Sequence, residues 1–173
     1  IYAGGKITAA NRAADAKIRE NKERMLYTKS ILITELAKRY YGYVLAIEAQ
    51  KVYQQVLDGI EQHLIQARKL EENGIISSGE RLHAEVTYAD ALRKFKKSKR
   101  TTDITDAGLK NTLASEESIT PVSSLFITRH IKPVQTYIDG AGQKNHLLKS
   151  IAAQKDRAGQ NYKAEVGSLM PTV

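Results

Sequence analysis

A chain of 173 residues with 27 Lys and Arg against 19 Asp and Glu carries a net charge of +8, which permits an anionic partner without choosing one. The absence of cysteine excludes a disulfide framework, thiolate metal sites and cysteine catalysis, and leaves the compartment open. No stretch approaches the roughly 18 consecutive apolar residues that a membrane-spanning helix requires.

Ile1-Tyr2-Ala3-Gly4-Gly5-Lys6 reads as the end of a strand followed by a glycine hinge, and the start at Ile1 suggests a segment of a longer polypeptide. From about Lys6 to Asn73 there is no proline, and glycine occurs only at Gly42 and Gly59, so one helix can run the whole distance. Leu32, Leu36, Tyr40, Tyr43 and Ile47 step by three or four residues, as do Val56, Ile60, Leu64 and Ala67. Ile33, Val44 and Leu57 widen this stripe beyond a two-stranded seam, so the helix is expected to touch more than one partner. With no tryptophan and two phenylalanines, the apolar load falls on Ala, Leu, Ile and Tyr. That is the composition of thin helix–helix seams.

A tight reversal follows. Asn73-Gly74 tolerates the left-handed backbone that ends a helix, Ser77 or Ser78 can cap the next one, and Glu80 and Glu85 place negative charge in its opening turns. On the return helix Leu82, Val86, Ala89, Leu92 and Phe95 keep the helical spacing, and Leu109 and Leu113 resume it. Ser118 to Arg129 is β-branched and aromatic between serines and predicts a small extended element. Pro133 suits the first turn of a short helix ending around Gly140 to Gly142, and a last helix from about Asn145 to Gly167 precedes the break at Pro171. At ~1.5 Å per residue the outgoing helix would span about 100 Å and the two returning helices about 60 and 40 Å, so the returning pieces match the outgoing one. The expected fold is mainly α: a long antiparallel coiled-coil helical hairpin, with a third, shorter helix stacked end to end on the return helix and a small mixed insertion between them. The boundaries are a strand end at 1–5, the hairpin at 6–117 with its tip at 73–79, the insertion at 118–142, the returning helix at 143–169 and a strand start at 170–173.

Sites of chemistry are harder to find. His63, His83, His130 and His146 are scattered, none at the spacing that puts two imidazoles on one metal, although His63 and His83 could approach each other across the hairpin. There is no nucleophile elbow, phosphate loop or dinucleotide fingerprint, and Asp103 and Asp106 read as surface charges near Lys99 and Arg100. No catalytic, metal or cofactor site is expected, and the chain does not read as an enzyme. Arg93-Lys94-Phe95-Lys96-Lys97-Ser98-Lys99-Arg100 places six cations in eight residues, which could neutralise phosphates, but only Phe95 could stack on a base. Tyr40, Tyr41 and Tyr43 read as seam packing with hydroxyls reaching solvent or a neighbour.

Three motifs in order resemble the TolC-type outer-membrane efflux proteins. The opening Ile1 to Lys6 is similar to the glycine-rich exit of that family's membrane β-hairpin. Gly74-Ile75-Ile76-Ser77 with Glu80-Arg81-Leu82-His83-Ala84-Glu85 resembles its hairpin tip, with Asn73 where valine often stands and Glu80 in place of aspartate. Leu169-Met170-Pro171-Thr172-Val173 resembles its leucine-proline-threonine entry into the next membrane strand. The resemblance implies the portion of a protomer between two membrane hairpins, with 118–142 contributing to an equatorial domain. It further implies a passive export conduit in the outer membrane with a periplasmic extension, and a homotrimer in the intact protein. Its partners would be a periplasmic adaptor (membrane fusion) protein and an inner-membrane transporter, with Gly74, Ile75 and Ser77 as the adaptor-docking tip. Nucleic acid is not an expected partner. The residues themselves leave two other readings open, a coiled-coil scaffold and a basic helical nucleic-acid binder.

Overall fold

The computed structural model describes residues 4–117 and 119–170. It is mainly α, with 83% of these residues in four helices and no strand among them. The helices are α1 (Lys6–Glu72), α2 (Ser78–Leu113), α3 (Val134–Lys144) and α4 (His146–Ser168). They divide into two compact units, one formed by residues 35–127 and the other by 1–34 with 128–173. No helix of the described residues is long and apolar enough to cross a membrane.

In the unit of residues 35–127, α2 folds back on the C-terminal part of α1. Antiparallel pairing shows in partners whose numbers rise on one helix as they fall on the other: Arg39 Nη1 donates to the Gly108 carbonyl at 3.1 Å, the Thr102 hydroxyl to the Ala46 carbonyl at 3.3 Å, and Arg68 Nη2 to Glu85 at 3.1 Å. The α2 face turned inward is Ala84, Tyr88, Ala91, Phe95, Ser98, Thr102, Thr105 and Leu109, every one buried or half-buried. These residues step alternately by four and three, the heptad rhythm of a coiled-coil seam, but most of them are small or polar. On α1 the expected stripe largely holds, with Leu36, Tyr40, Tyr43, Ile47 and Ile60 half-buried and Leu64 and Ala67 buried, whereas on α2 it is largely displaced. Leu82 and Val86 are 50% and 66% exposed, and on α1 Leu32 and Val56 are 61% and 47% exposed, while Val44, Ala46, Leu57, Leu64 and Ala67 are buried. Small and polar residues take most of the α2 side of the seam, where they let the two backbones approach closely, while Val44, Leu57, Leu64 and Leu109 supply its larger buried side chains.

The unit of 1–34 with 128–173 obeys the same rule. On α1, Ala9, Ala13, Ala16, Glu20 and Glu23 alternate by four and three, and on α4 Ser150, Ala153, Arg157, Gln160, Ala164 and Gly167 answer with the same rhythm. Close approach ends at glycine: a Cβ on Gly4 (φ +55°) would lie 2.5 Å from the Gly167 carbonyl oxygen, and one on Gly167 would lie 2.7 Å from that of Gly4. Polar pairs tie the middle of the seam. Glu20, with 3% of its side chain exposed, meets Arg157 Nε at 3.1 Å in ionic contact without the alignment of a hydrogen bond, and Lys17 approaches it at 3.6 Å. Arg19 pairs with Asp156, and His146 Nδ1 lies 2.7 Å from Glu23 Oε2.

The extended element expected from Ser118 is not formed as a strand: residues 119–133 carry neither helix nor strand, and Ser118 lies outside the described residues. A strand needs a neighbour to take up its backbone bonds, and no described segment offers one. Side chains hold the segment instead. The Ser123 N–H donates to Tyr40 Oη at 3.3 Å, and Phe126 packs edge-on against Tyr41 with ring centroids 5.4 Å apart. Pro133 stands at the N-cap position of α3 rather than in its first turn. α3 runs through Gly140 and Gly142 to Lys144, and Asn145 then caps α4, its side-chain oxygen accepting from the Leu147 N–H at 2.8 Å. Of the strand end expected at 1–5, Gly4 and Gly5 instead form a turn before α1 and residues 1–3 lie outside the described residues; of the strand start expected at 170–173, Met170 is a bend and residues 171–173 lie outside them.

Candidate functional site

The reversal between α1 and α2 is the most fully determined local structure in the chain. α1 ends in a Schellman motif: the Gly74 N–H donates to the Glu71 carbonyl and the Ile75 N–H to the Leu70 carbonyl, both at 2.8 Å. This geometry requires a left-handed residue, and Gly74 supplies it at φ +70° with open space around it. The Asn73 side-chain amide donates to the Lys69 carbonyl at 2.6 Å, alongside the Asn73 backbone N–H at 3.1 Å. Three residues later Ser77 starts α2 with a capping box: its hydroxyl accepts from the Glu80 N–H at 3.3 Å, and Glu80 Oε2 accepts from the Ser77 N–H at 2.8 Å. Hydrogen bonds from the Ser77 backbone and then from its side chain hold the Glu80 carboxyl below the ordinary carboxylate range.

Between these caps the two isoleucines part. Ile76 packs on the cluster of Leu64, Ala67 and Ala84, as Tyr88 does. Ile75 is 67% exposed. The structure therefore brings Gly74, Ile75 and Ser77 together at one apex: a backbone turn, an outward aliphatic side chain and a helix cap.

A four-charge network braces the apex from below. Arg81 joins the helices, with Nε 2.6 Å from Glu71 and Nη1 2.9 Å from Glu85, and Arg68 reaches Glu85 from α1. Hydrogen bonds from Arg68 and then Arg81 pull the Glu85 carboxyl below its usual range. Arg81 and Glu85 stand at the i, i+4 spacing of one helix, a local signal, whereas Glu71 lies ten residues before Arg81 and Arg68 seventeen before Glu85, so these two links follow from the antiparallel register.

His63 and His83, which the sequence allowed to approach across the hairpin, line one tip cavity of about 490 Å³ with Leu70, Ile76 and Glu80. No group of three or more potential metal ligands is assembled among the described residues. Elsewhere on α2, Asp106 pairs with Lys110 at 2.8 Å instead of with Lys99 or Arg100. Burial and the adjacent Asp106 carboxylate together raise the Tyr43 hydroxyl above its ordinary value. Compared with known proteins, the chain matches no family model, no curated protein and no solved structure.

Proposed function

We propose that the chain is the periplasmic helical portion of a TolC-type outer-membrane efflux channel, a passive conduit that docks through Gly74, Ile75 and Ser77 onto a periplasmic adaptor coupled to an inner-membrane transporter. The observation that carries the reading is the apex itself. An aliphatic side chain held outward by a glycine turn on one side and a capping box on the other gains nothing from its own core. Covering it with a partner is worth roughly 1.5–3 kcal/mol. The outward aliphatics Leu32, Val56, Leu82 and Val86 support the same reading, since a hairpin that joins a ring of helices needs apolar outer faces for its neighbours.

The test is Ile75→Asp in the intact protein. Export should be lost while protein level and trimer assembly stay near those of the wild type. A variant that assembles, cross-links to its adaptor and exports at the wild-type rate would remove the tip from the functional map.

A further inference from the structure

The basic run of α2 is not an evenly solvated face. Arg93, Lys94 and Lys97 border an open cleft of about 370 Å³ whose other wall is α1, where Ala46, Ala49 and Tyr53 present methyl groups and an aromatic ring. Hydrogen bonds to the backbone fix the floor beside it: the Thr102 hydroxyl binds the Ala46 carbonyl at 3.3 Å, and the buried Ser98 turns its hydroxyl onto the Phe95 carbonyl at 2.8 Å. The cleft volume falls within the ~300–1,000 Å³ range of clefts that hold small molecules.

Charge is unbalanced there. Asp90 serves both Arg93 at 2.5 Å and Lys94 at 2.8 Å, and Lys97 has no carboxylate partner among the described residues. Across the cleft, Glu48 is the acid of α1 nearest in sequence to Ala46 and Ala49, and it is engaged with Lys51 at 2.7 Å. One wall therefore offers apolar surface and the other offers cations in excess of their own counter-charges.

We infer that this cleft binds a single-chain anionic amphiphile, its alkyl or aryl body lying along Ala46, Ala49 and Tyr53 and its carboxylate, sulfonate or phosphate head among Arg93, Lys94 and Lys97. A polyanion such as nucleic acid would use the cations and leave the apolar wall uncovered. A neutral lipid would do the reverse. Only a ligand with both parts satisfies both walls, and the groove between two helices admits one chain and not a bilayer. The site depends on the α1–α2 hairpin alone and stands whether or not the chain belongs to a channel.

The experiment is photocrosslinking of the intact protein with diazirine-bearing decanoic acid and with the matching decanol, the modified residues being mapped by mass spectrometry. The acid should label 46–53 and 93–101 in preference to the alcohol by about tenfold, the equivalent of one charge-assisted hydrogen bond. Arg93→Gln combined with Lys97→Gln should remove that preference, and Ala49→Phe, which fills the cleft and keeps the cations, should block labelling, with thermal melting confirming that each variant is folded. Equal labelling by acid and alcohol, labelling of the charge variant at the wild-type level, or labelling that survives Ala49→Phe would each overturn the assignment. So would binding to phosphatidylglycerol vesicles that depends on Arg93 and Lys97 while decanoate labels elsewhere, because the cations would then serve a membrane surface.

Discussion

Glu20 on α1 and Arg157 on α4 form an ion pair at 3.1 Å inside a seam of alanine, serine and glycine, where the carboxylate side chain is almost wholly removed from water. Removing the cation strands a buried negative charge, which costs more than never having placed the pair. Arg157→Met should destabilise the unit of 1–34 with 128–173 by roughly 2–3 kcal/mol, less than the ~3–5 kcal/mol of a fully isolated pair because Lys17 stays close. Restoring neutrality with Glu20→Leu in the same molecule should recover most of that loss. A double-mutant cycle by denaturant unfolding reads the coupling, and additive effects of the two changes would show the pair to be energetically idle.

Two helix ends use one motif with different residues. Gly74 and Ala114 both take a left-handed backbone after a helix, at φ +70° and +50°. Glycine accepts this conformation freely, whereas a Cβ costs about 1 kcal/mol. Gly74→Ala should therefore lower stability by about 1 kcal/mol and Ala114→Gly should raise it by a similar amount, both measured by chemical denaturation.

Acid should loosen the tip. Glu80 and Glu85 have folded-state pKa values below the unfolded one, so their contribution is complete above the ordinary carboxylate value and disappears as the pH falls through the lower folded values. Amide exchange at Glu80 and Arg81, corrected for intrinsic rates, should accelerate in that window. Glu80→Gln retains a capping acceptor without a titrating proton and should flatten the acid response of these two amides.

Glycines inside helices should divide by their surroundings. A methyl group added at Gly59 would meet nothing within 4 Å, and Gly59→Ala should stabilise by about 0.5–1 kcal/mol through helix propensity. Gly167→Ala pushes a methyl against the Gly4 carbonyl and the Lys6 amide and should cost about 1–3 kcal/mol. Paired thermal melts check both signs.

Much of this was legible in the chain. The proline-free run, the Asn73-Gly74 stop, the Ser77 cap and the Asn145 break are local signals, since each is set by backbone geometry within a few residues. The α1 side of the hairpin seam was legible too, from Leu36, Tyr40, Tyr43, Ile47, Ile60 and Leu64, but most of the α2 side and the seam of α1 with α4 were not, because large aliphatics do not mark them. Ala84, Ala91 and Ser98, or Ala9, Ala13 and Ala16, keep the four-three rhythm without hydrophobic bulk, and only the close approach of a second helix gives them meaning. The β-branched run from Ile119 misleads for a related reason: its residues favour a pleated surface, but strand formation depends on a partner that no local pattern specifies. The Arg81 network was half hidden: Arg81 and Glu85 stand at i, i+4, but Glu71 and Arg68 reach them through register alone.

The contact between Gly4 and Gly167 has a consequence for grafting. The backbone at the start of α1 and at the end of α4 occupies adjacent positions. A helical segment closed at its base in this way can be spliced into a loop of an unrelated host without stretching the host, because insertion tolerance is governed by the gap between entry and exit and not by the number of residues inserted. Lengthening or shortening the hairpin by whole heptads would leave that gap unchanged.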